Sequence, residues 1–264
     1  MASLFFPQLS IGALVQYPFR KTRHLRTIVN TLADGTIIAI PDSSSGRLKW
    51  ELIYQDLSSA DLALLQTHFT QCSGPWQPFV FIDPTDNMLS DSSDLTTASW
   101  QLGSNLTVQA GATDPTGASN AFLVTNNGQI AEQVSQTLTV PAWYQYCFSV
   151  YIQSATPSQI QLIRQADTQQ TITLPITTSW TRLISSGQLT TQLTSYTVAI
   201  SLLPGQQIKL FGPQLEPQIA PSHYRPTLGA GGVYPNAHWS VNTLTISAGS
   251  PSLFNASCII ETNL

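Results

Sequence analysis

The chain has 264 residues, 42% of them hydrophobic, enough to fill two modest cores. Only 9% are Asp, Glu, Lys or Arg, far under the roughly 25% of an average soluble domain, so Ser, Thr, Gln and Asn carry its solubility; such a surface costs less to desolvate against neighbouring subunits or sugar hydroxyls. A net charge of −4 argues against nucleic acid as the main partner, since phosphate binding needs a positive field.

In chain order, the start from Met1 to Pro7 lacks the charged region and long apolar stretch of an export signal. No window reaches the 18 or so apolar residues of a membrane span, so neither export by a visible signal nor insertion in a bilayer is expected. Thr27 to Leu32 and Thr36 to Ile40 read as a hairpin about Ala33-Asp34-Gly35, where Asp-Gly supplies the positive φ of a tight turn. Leu48, Trp50, Leu52 and Tyr54 alternate on one face of a half-buried strand. One helix follows: Ser58 or Ser59 caps it, Asp61 sits in its first turn, Leu62, Leu65 and Phe69 recur at helical spacing, and Gly74 ends it. Phe79 to Asp83 is a short aromatic strand.

Taken in order, Phe6, Pro7 and Gly12, the Arg26-Thr27 strand, Trp50 and Tyr54 ahead of a helix opening at Leu57 to Leu62, and Gly74 leading to Phe79, Phe81, Asp83 and Pro84 resemble the N-terminal domain of distal tail proteins of long-tailed phages and gene-transfer-agent particles. That resemblance implies a small split β-barrel with one flanking helix, built to stack as a ring, hexameric in such proteins, beneath a tail tube.

From Asn87 to Thr227 short strands separated by Gly, Pro, Asn and Ser turns signal a helix-free β-sandwich. The clearest strand places Tyr144, Tyr146, Phe148, Val150 and Ile152 on one face and Gln145, Cys147, Ser149 and Tyr151 on the other. Asn87, Leu89, Ser92 and Asp94 with Trp100 open this stretch, and Gly212 to Glu216 with Tyr224, Pro226 and Thr227 close it. With Tyr144 to Tyr151 and Trp180-x-Arg182, these residues resemble the carbohydrate-binding-module-like jelly rolls of many phage tail and fibre proteins.

Leu228 to Gly232 reads as a flexible hinge. Val241 to Ser247 and Ala256 to Thr262 read as two strands, too few to stand alone, which must add to an existing sheet. The expected fold class is therefore mainly β: a small split β-barrel with one helix plus an inserted jelly-roll β-sandwich. The expected domains are residues 1–86 and 228–264 for the barrel and 87–227 for the insertion.

Six of the ten basic residues lie at or before Lys49, and none falls between Trp50 and Ile163, where nine carboxylates lie. Arg20, Lys21, Arg23 and Arg26 are thus candidates for a ring interface with acidic surface on a neighbour, or else form a solvated basic turn. Cys72, Cys147 and Cys258 cannot all pair within one chain and lack metal-site spacing; free, mostly buried thiols are expected, in keeping with assembly in a reducing host cytoplasm.

No P-loop, nucleophile elbow, dinucleotide fingerprint or zinc-protease helix is present, and His24, His68, His223 and His238 are isolated, so no enzyme is expected. His68 reads as a partly exposed helix residue. Asp83, Asp86, Asp91 and Asp94 with Glu216 are a candidate calcium shell, against the reading that Asp and Ser before strands make turns and caps; no other cofactor is expected. Flat rings beside amides suit sugars, which makes Trp143, Tyr151, Trp180 and Arg182 candidate glycan contacts, against a role in packing.

The first functional expectation is a structural virion protein of a tail tip or baseplate: a ring of identical subunits contacting tube and hub proteins, with an outward jelly roll that meets side fibres or host-surface glycan. The alternative is a glycan-binding, receptor-recognising adhesin of the tail.

Overall fold

This computed structural model describes residues 4–264, and of Ser43 and Ser44 the backbone alone; Met1 to Ser3, part of the start read above for an export signal, lie outside the described residues. In chain order the elements are β1 (Arg20–Thr31), β2 (Ile37–Leu57), α1 (Ser59–Gln71) and β3 (Phe79–Ile82). Ten strands follow: β4 (Gln101–Leu102), β5 (Leu106–Ala112), β6 (Ala121–Asn126), β7 (Glu132–Thr139), β8 (Tyr146–Ser154), β9 (Ser158–Gln165), β10 (Gln169–Ile176), β11 (Thr181–Gly187), β12 (Ser195–Leu202) and β13 (Gln207–Glu216). The chain ends with β14 (Val233–Trp239), β15 (Thr245–Ser250) and β16 (Leu253–Asn263). No helix among the described residues is long and apolar enough to cross a membrane.

Two compact units result. The first holds the chain up to Phe81 and again from Tyr234 to Leu264; the second is Ile82–Val233. These boundaries fall at Ile82 and Val233, where the sequence suggested 87 and 227.

The first unit is a six-stranded sheet in the order β1-β2-β16-β14-β3, with β15 paired to β16 off that path. It is open, not the closed wall of a barrel, because β1 pairs with β2 and stops there. The Asp-Gly hairpin forms about Leu32 and Thr36, whose backbones are bonded at 2.8 Å. The strand expected from Leu48 is the second half of one 21-residue strand, β2. Leu48, Trp50, Leu52 and Tyr54 are all buried, and β16 pairs along that half from Leu57 to Arg47. Among the described residues the first half of β2 has β1 alone beside it.

Helix α1 starts as its sequence requires. Ser58 Oγ accepts the Asp61 N–H and donates to Asp61 Oδ2, a reciprocal cap, and Ser10 donates its N–H and Oγ–H to the same carboxylate. His68, expected at the surface, is buried instead. It packs edge-on against Phe6 and Phe79, and Trp239 Nε1 donates to His68 Nδ1 at 3.2 Å. An aromatic core that includes Trp50, Phe81 and Trp239 surrounds the ring, and this burial pushes the His68 pKa down from 6.5 to about 4.

The second unit is a jelly-roll sandwich of two five-stranded sheets, ordered β10-β9-β12-β7-β4 and β11-β8-β13-β6-β5. Tyr146, Phe148, Val150 and Ile152 on β8 and Tyr196, Val198, Ile200 and Leu202 on β12 are buried in the core, where Tyr146 meets Tyr196 at 4.8 Å. Cys147 and Ser149, on the opposite face of β8, are buried too. The closing segment lies over them: Arg182 donates to Ser149 Oγ and to the carbonyl of Ser222.

Opening and closing edges are stitched together. The buried Asn87 amide accepts N–H bonds from Leu89 and Leu215 and donates to the carbonyls of Pro213 and Arg225. Thr227 and Ser92 exchange bonds at 2.9 Å in both directions, and Trp100 Nε1 donates to the Asp91 carbonyl. The stretch read as a hinge belongs to the same seam. Asp83 N–H bonds to Gly232 O, Gly232 N–H to Asn87 O, and a Cβ on Gly231 would meet Met88 O at 2.2 Å. These glycines serve close backbone approach, not flexibility.

Replacing Asn87 with Ala strands the buried N–H groups of Leu89 and Leu215 and takes a donor from two carbonyls, and is expected to cost about 2–4 kcal/mol in urea denaturation of the full chain. His68 takes up a proton more readily in the unfolded chain. Its contribution is therefore full above pH 6.5, falls as pH drops, and levels off below about 4, for a loss of roughly 3 kcal/mol. Subtracting the pH profile of His68→Phe from that of the parent should isolate this slope.

Candidate functional site

Strand β13 alternates Ile208 and Leu210 inward with Gln207, Lys209 and Phe211 outward. Phe211 is thus a ring on an otherwise polar outer row, and it borders a cleft of about 830 Å³ within the second unit, inside the usual range for small-molecule and sugar sites. Apolar walls come from Phe211, Phe122, Tyr224 and Leu228; polar groups come from Ser92, Ser93, Asp94, Thr96, Ser119 and Asn120.

Three features hold the rings in place. Tyr224 stands edge-on to Phe211 at 5.2 Å, and its hydroxyl shares a 3.1 Å bond with Ser92 Oγ. Gly212, at φ +61°, leaves room for it: a Cβ there would come within 3.0 Å of the Tyr224 ring. On the other side Tyr151 packs on Phe211 at 6.0 Å, and the Arg182 guanidinium lies 5.2 Å from the Tyr151 centroid. Burial raises the Tyr224 pKa, with the Ser92 bond pulling the other way, so the hydroxyl stays protonated near neutral pH.

Asn120 donates to Asp114 Oδ2 at 3.0 Å, and Asp114 also accepts from Thr116 and Ala118, which organises the loop at the cleft wall. Among the described residues, Asp94 is the one charged side chain lining the cleft. Rings beside hydroxyl, amide and carboxylate groups suit a neutral, hydroxyl-rich ligand: C–H faces stack on the rings while hydroxyls find acceptors and donors.

Of the candidate glycan contacts, Tyr151 and Arg182 sit together beside Phe211. Trp180 precedes β11 by one residue at the Ile152 end of the β8–β11 ladder. Trp143 lies beyond the other end, about 20 Å away, edge-on to Tyr144. Trp143 and Trp180 therefore cannot share one platform. Arg182 bonds to Ser149 and Ser222 and is a positioning residue for the closing segment. Phe211 and Tyr224 carry the cleft, yet in the sequence they read only as closing-edge residues; the outward ring among Gln207 and Lys209 is the signal that marks Phe211.

The candidate ring-interface residues Arg20, Lys21, Arg23 and Arg26 all lie on exposed β1. Within this hairpin Arg26 pairs with Asp42, and Arg20 lies 3.8 Å from Glu51. Surface pairs of this kind contribute little to stability.

Four of the five candidate calcium carboxylates act as local acceptors. Asp83 and Asp94 each take the N–H and hydroxyl of the Thr two residues on, Asp91 takes Ser99 and Gly229, and Glu216 takes Ser222 and Gln218. Among the described residues no three His, Cys, Asp or Glu side chains come together as a metal shell. All three cysteines are free and buried, and burial pushes Cys72 up to about 11 and Cys147 up to about 12, so neither is a thiolate near neutral pH.

No family profile matches this sequence, and no curated protein sequence does. Solved structures that are similar include the CBM22-1 xylan-binding domain from Paenibacillus barcinonensis Xyn10C, at 18% identity and TM-score 0.42, covering 50% of this chain and 94% of that domain. Another is the C-terminal family 22 carbohydrate-binding module of Clostridium thermocellum Xyn10B, at 16% identity and TM-score 0.42, covering 51% and 95%. A third is the enzymatically active domain of tailspike protein 4 from bacteriophage CBA120, at 12% identity and TM-score 0.40, covering 52% of this chain and 22% of that one. Likenesses this shallow assign neither ligand nor activity to this chain.

Proposed function

We propose that this protein binds carbohydrate through its jelly roll, at the Phe211–Tyr224 cleft, and does so as a recognition subunit of a phage-like tail tip, without turnover. The observation that carries this reading is the cleft itself: three aromatic rings and a set of hydroxyl, amide and carboxylate groups facing one space of about 830 Å³. A side-chain inventory with one carboxylate and no cation suits uncharged sugars over acidic ones. In affinity electrophoresis through gels holding xylan, mixed-linkage β-glucan, galactan or amylose, the full chain should be retarded by at least one polymer. Phe211→Ala should weaken that retardation by about tenfold while leaving the unfolding midpoint near that of the parent. Passage through every gel unretarded would remove the reading.

A second reading, assembly as a ring of identical subunits beneath a tail tube, made in the host cytoplasm and contacting tube and hub proteins, is favoured by a separate feature. The free end of the β1–β2 hairpin exposes apolar side chains on both faces: Ile28, Ile38 and Ile40 on one, Val29 and Ile37 on the other. A two-stranded ribbon is marginal alone, and an exposed apolar edge strand pairs with other chains unless covered. In this reading β1, with Arg20, Lys21, Arg23 and Arg26, forms the contact between neighbours, and the two functions are compatible. Light scattering and negative-stain microscopy should then show rings, a hexamer being the family expectation, and Ile28→Lys with Ile40→Lys should yield monomers. Monomers alone from the parent chain at micromolar concentration would count decisively against it.

A further inference from the structure

We infer that the sugar-binding face carries a second contact row, so that its ligand is an extended polysaccharide chain lying along β13 and not a terminal sugar; this rests on the glycan reading of the Phe211 cleft. Register supplies the geometry. Phe211 pairs with Tyr151, and Tyr151 with Arg182, which makes one row across three strands. Two residues earlier on β13, Lys209 pairs with Leu123 of β6 on one side and Gln153 of β8 on the other. Carried one residue back from Thr181, the β8–β11 register sets Trp180 opposite Gln153. Because side chains two apart on a strand share a face, the second row lies beside the first at about 7 Å.

The second row has its own cleft, of about 230 Å³, lined by Leu123, Gln153, Thr178, Gln207 and Lys209. Its polar groups are held ready for hydroxyls. Gln153 Nε2 donates to the Thr178 carbonyl at 2.7 Å and Gln207 Nε2 to Thr125 Oγ1 at 2.9 Å, which fixes both amides and leaves their oxygens as acceptors beside the Lys209 ammonium donor. Half-buried Trp180 stands at the end of the row by the same register, beyond the residues that line the cleft. From Gly212 in the first cleft to Gln207 in the second, β13 runs about 17 Å, longer than a single sugar ring. The other sheet turns Gln133, Ser135, Thr137, Gln161 and Thr197 outward, with no ring among them, so the aromatic track belongs to one face.

The test uses whichever of the four polymers retards the chain, with its disaccharide and hexasaccharide titrated calorimetrically. The hexasaccharide should bind about tenfold tighter than the disaccharide, and Lys209→Ala combined with Trp180→Ala should erase that gain while disaccharide binding stays. If Trp180→Ala lowers the unfolding midpoint, Trp180→Phe with Lys209→Ala takes its place. Equal affinity for the two lengths, or a gain that survives both substitutions, overturns the second row; if Phe211→Ala still weakens binding, the first cleft stands. A chain that no polymer retards brings down both.

Discussion

One buried amide organises the larger unit. Asn87, fully enclosed, joins four backbone groups from segments more than a hundred residues apart in sequence, and no apolar side chain of its size could replace both its donors and its acceptor. Once Asn87, Ser92 and Thr227 have closed the seam, the chain enters and leaves the sandwich at one place. The first unit can then be made of both ends of the chain, with β16 hydrogen-bonded along β2.

The same seam builds the cleft. Ser92 serves two tasks, exchanging bonds with Thr227 and holding the Tyr224 hydroxyl, so the ring facing the ligand space is anchored by the segment that closes the fold. Tyr224 leans on Phe211, Phe211 on Tyr151, and Tyr151 under Arg182, which ties back to Ser222 in the closing segment. A site framed in this way loses little side-chain freedom on binding, because its rings are ordered beforehand. The sparse charge of the chain has a local counterpart, with a single carboxylate among the groups that line the cleft.

The first unit shows the opposite economy. Its core is rigid and aromatic, with Trp50, Trp239 and His68 packed without solvent, while its hairpin extends apolar residues with no cover from its own fold. The two stretches of one strand differ accordingly: β2 buries one face at Leu48, Trp50, Leu52 and Tyr54, and exposes its start from Ile37 to Pro41.

Local chemistry was enough to read much of this. Alternation revealed the inward face of β8 and of the second half of β2, Asp34-Gly35 the hairpin, and Ser58 and Asp61 the helix start, because each signal lies within a few residues of what it specifies; the jelly roll was read from a resemblance carried by its two far-apart edges at Asn87 and Thr227. Where partners are distant, the sequence misled or was silent. His68 looks like a surface residue until Trp239 from the far end of the chain covers it. Gly231 and Gly232 look flexible until Met88 and Asn87 press against their backbones. Trp143 looks equivalent to Trp180 until the ladder register sets them at opposite ends. The amino-acid order alone determined the one helix, most of the strands and the buried faces of β8 and of the second half of β2, but not β14, which finds its place only beside β16. Which rings meet across strands to make a cleft was decided only by tertiary register, since a shift of one residue in β13 would turn Phe211 into the core and Leu210 out to solvent.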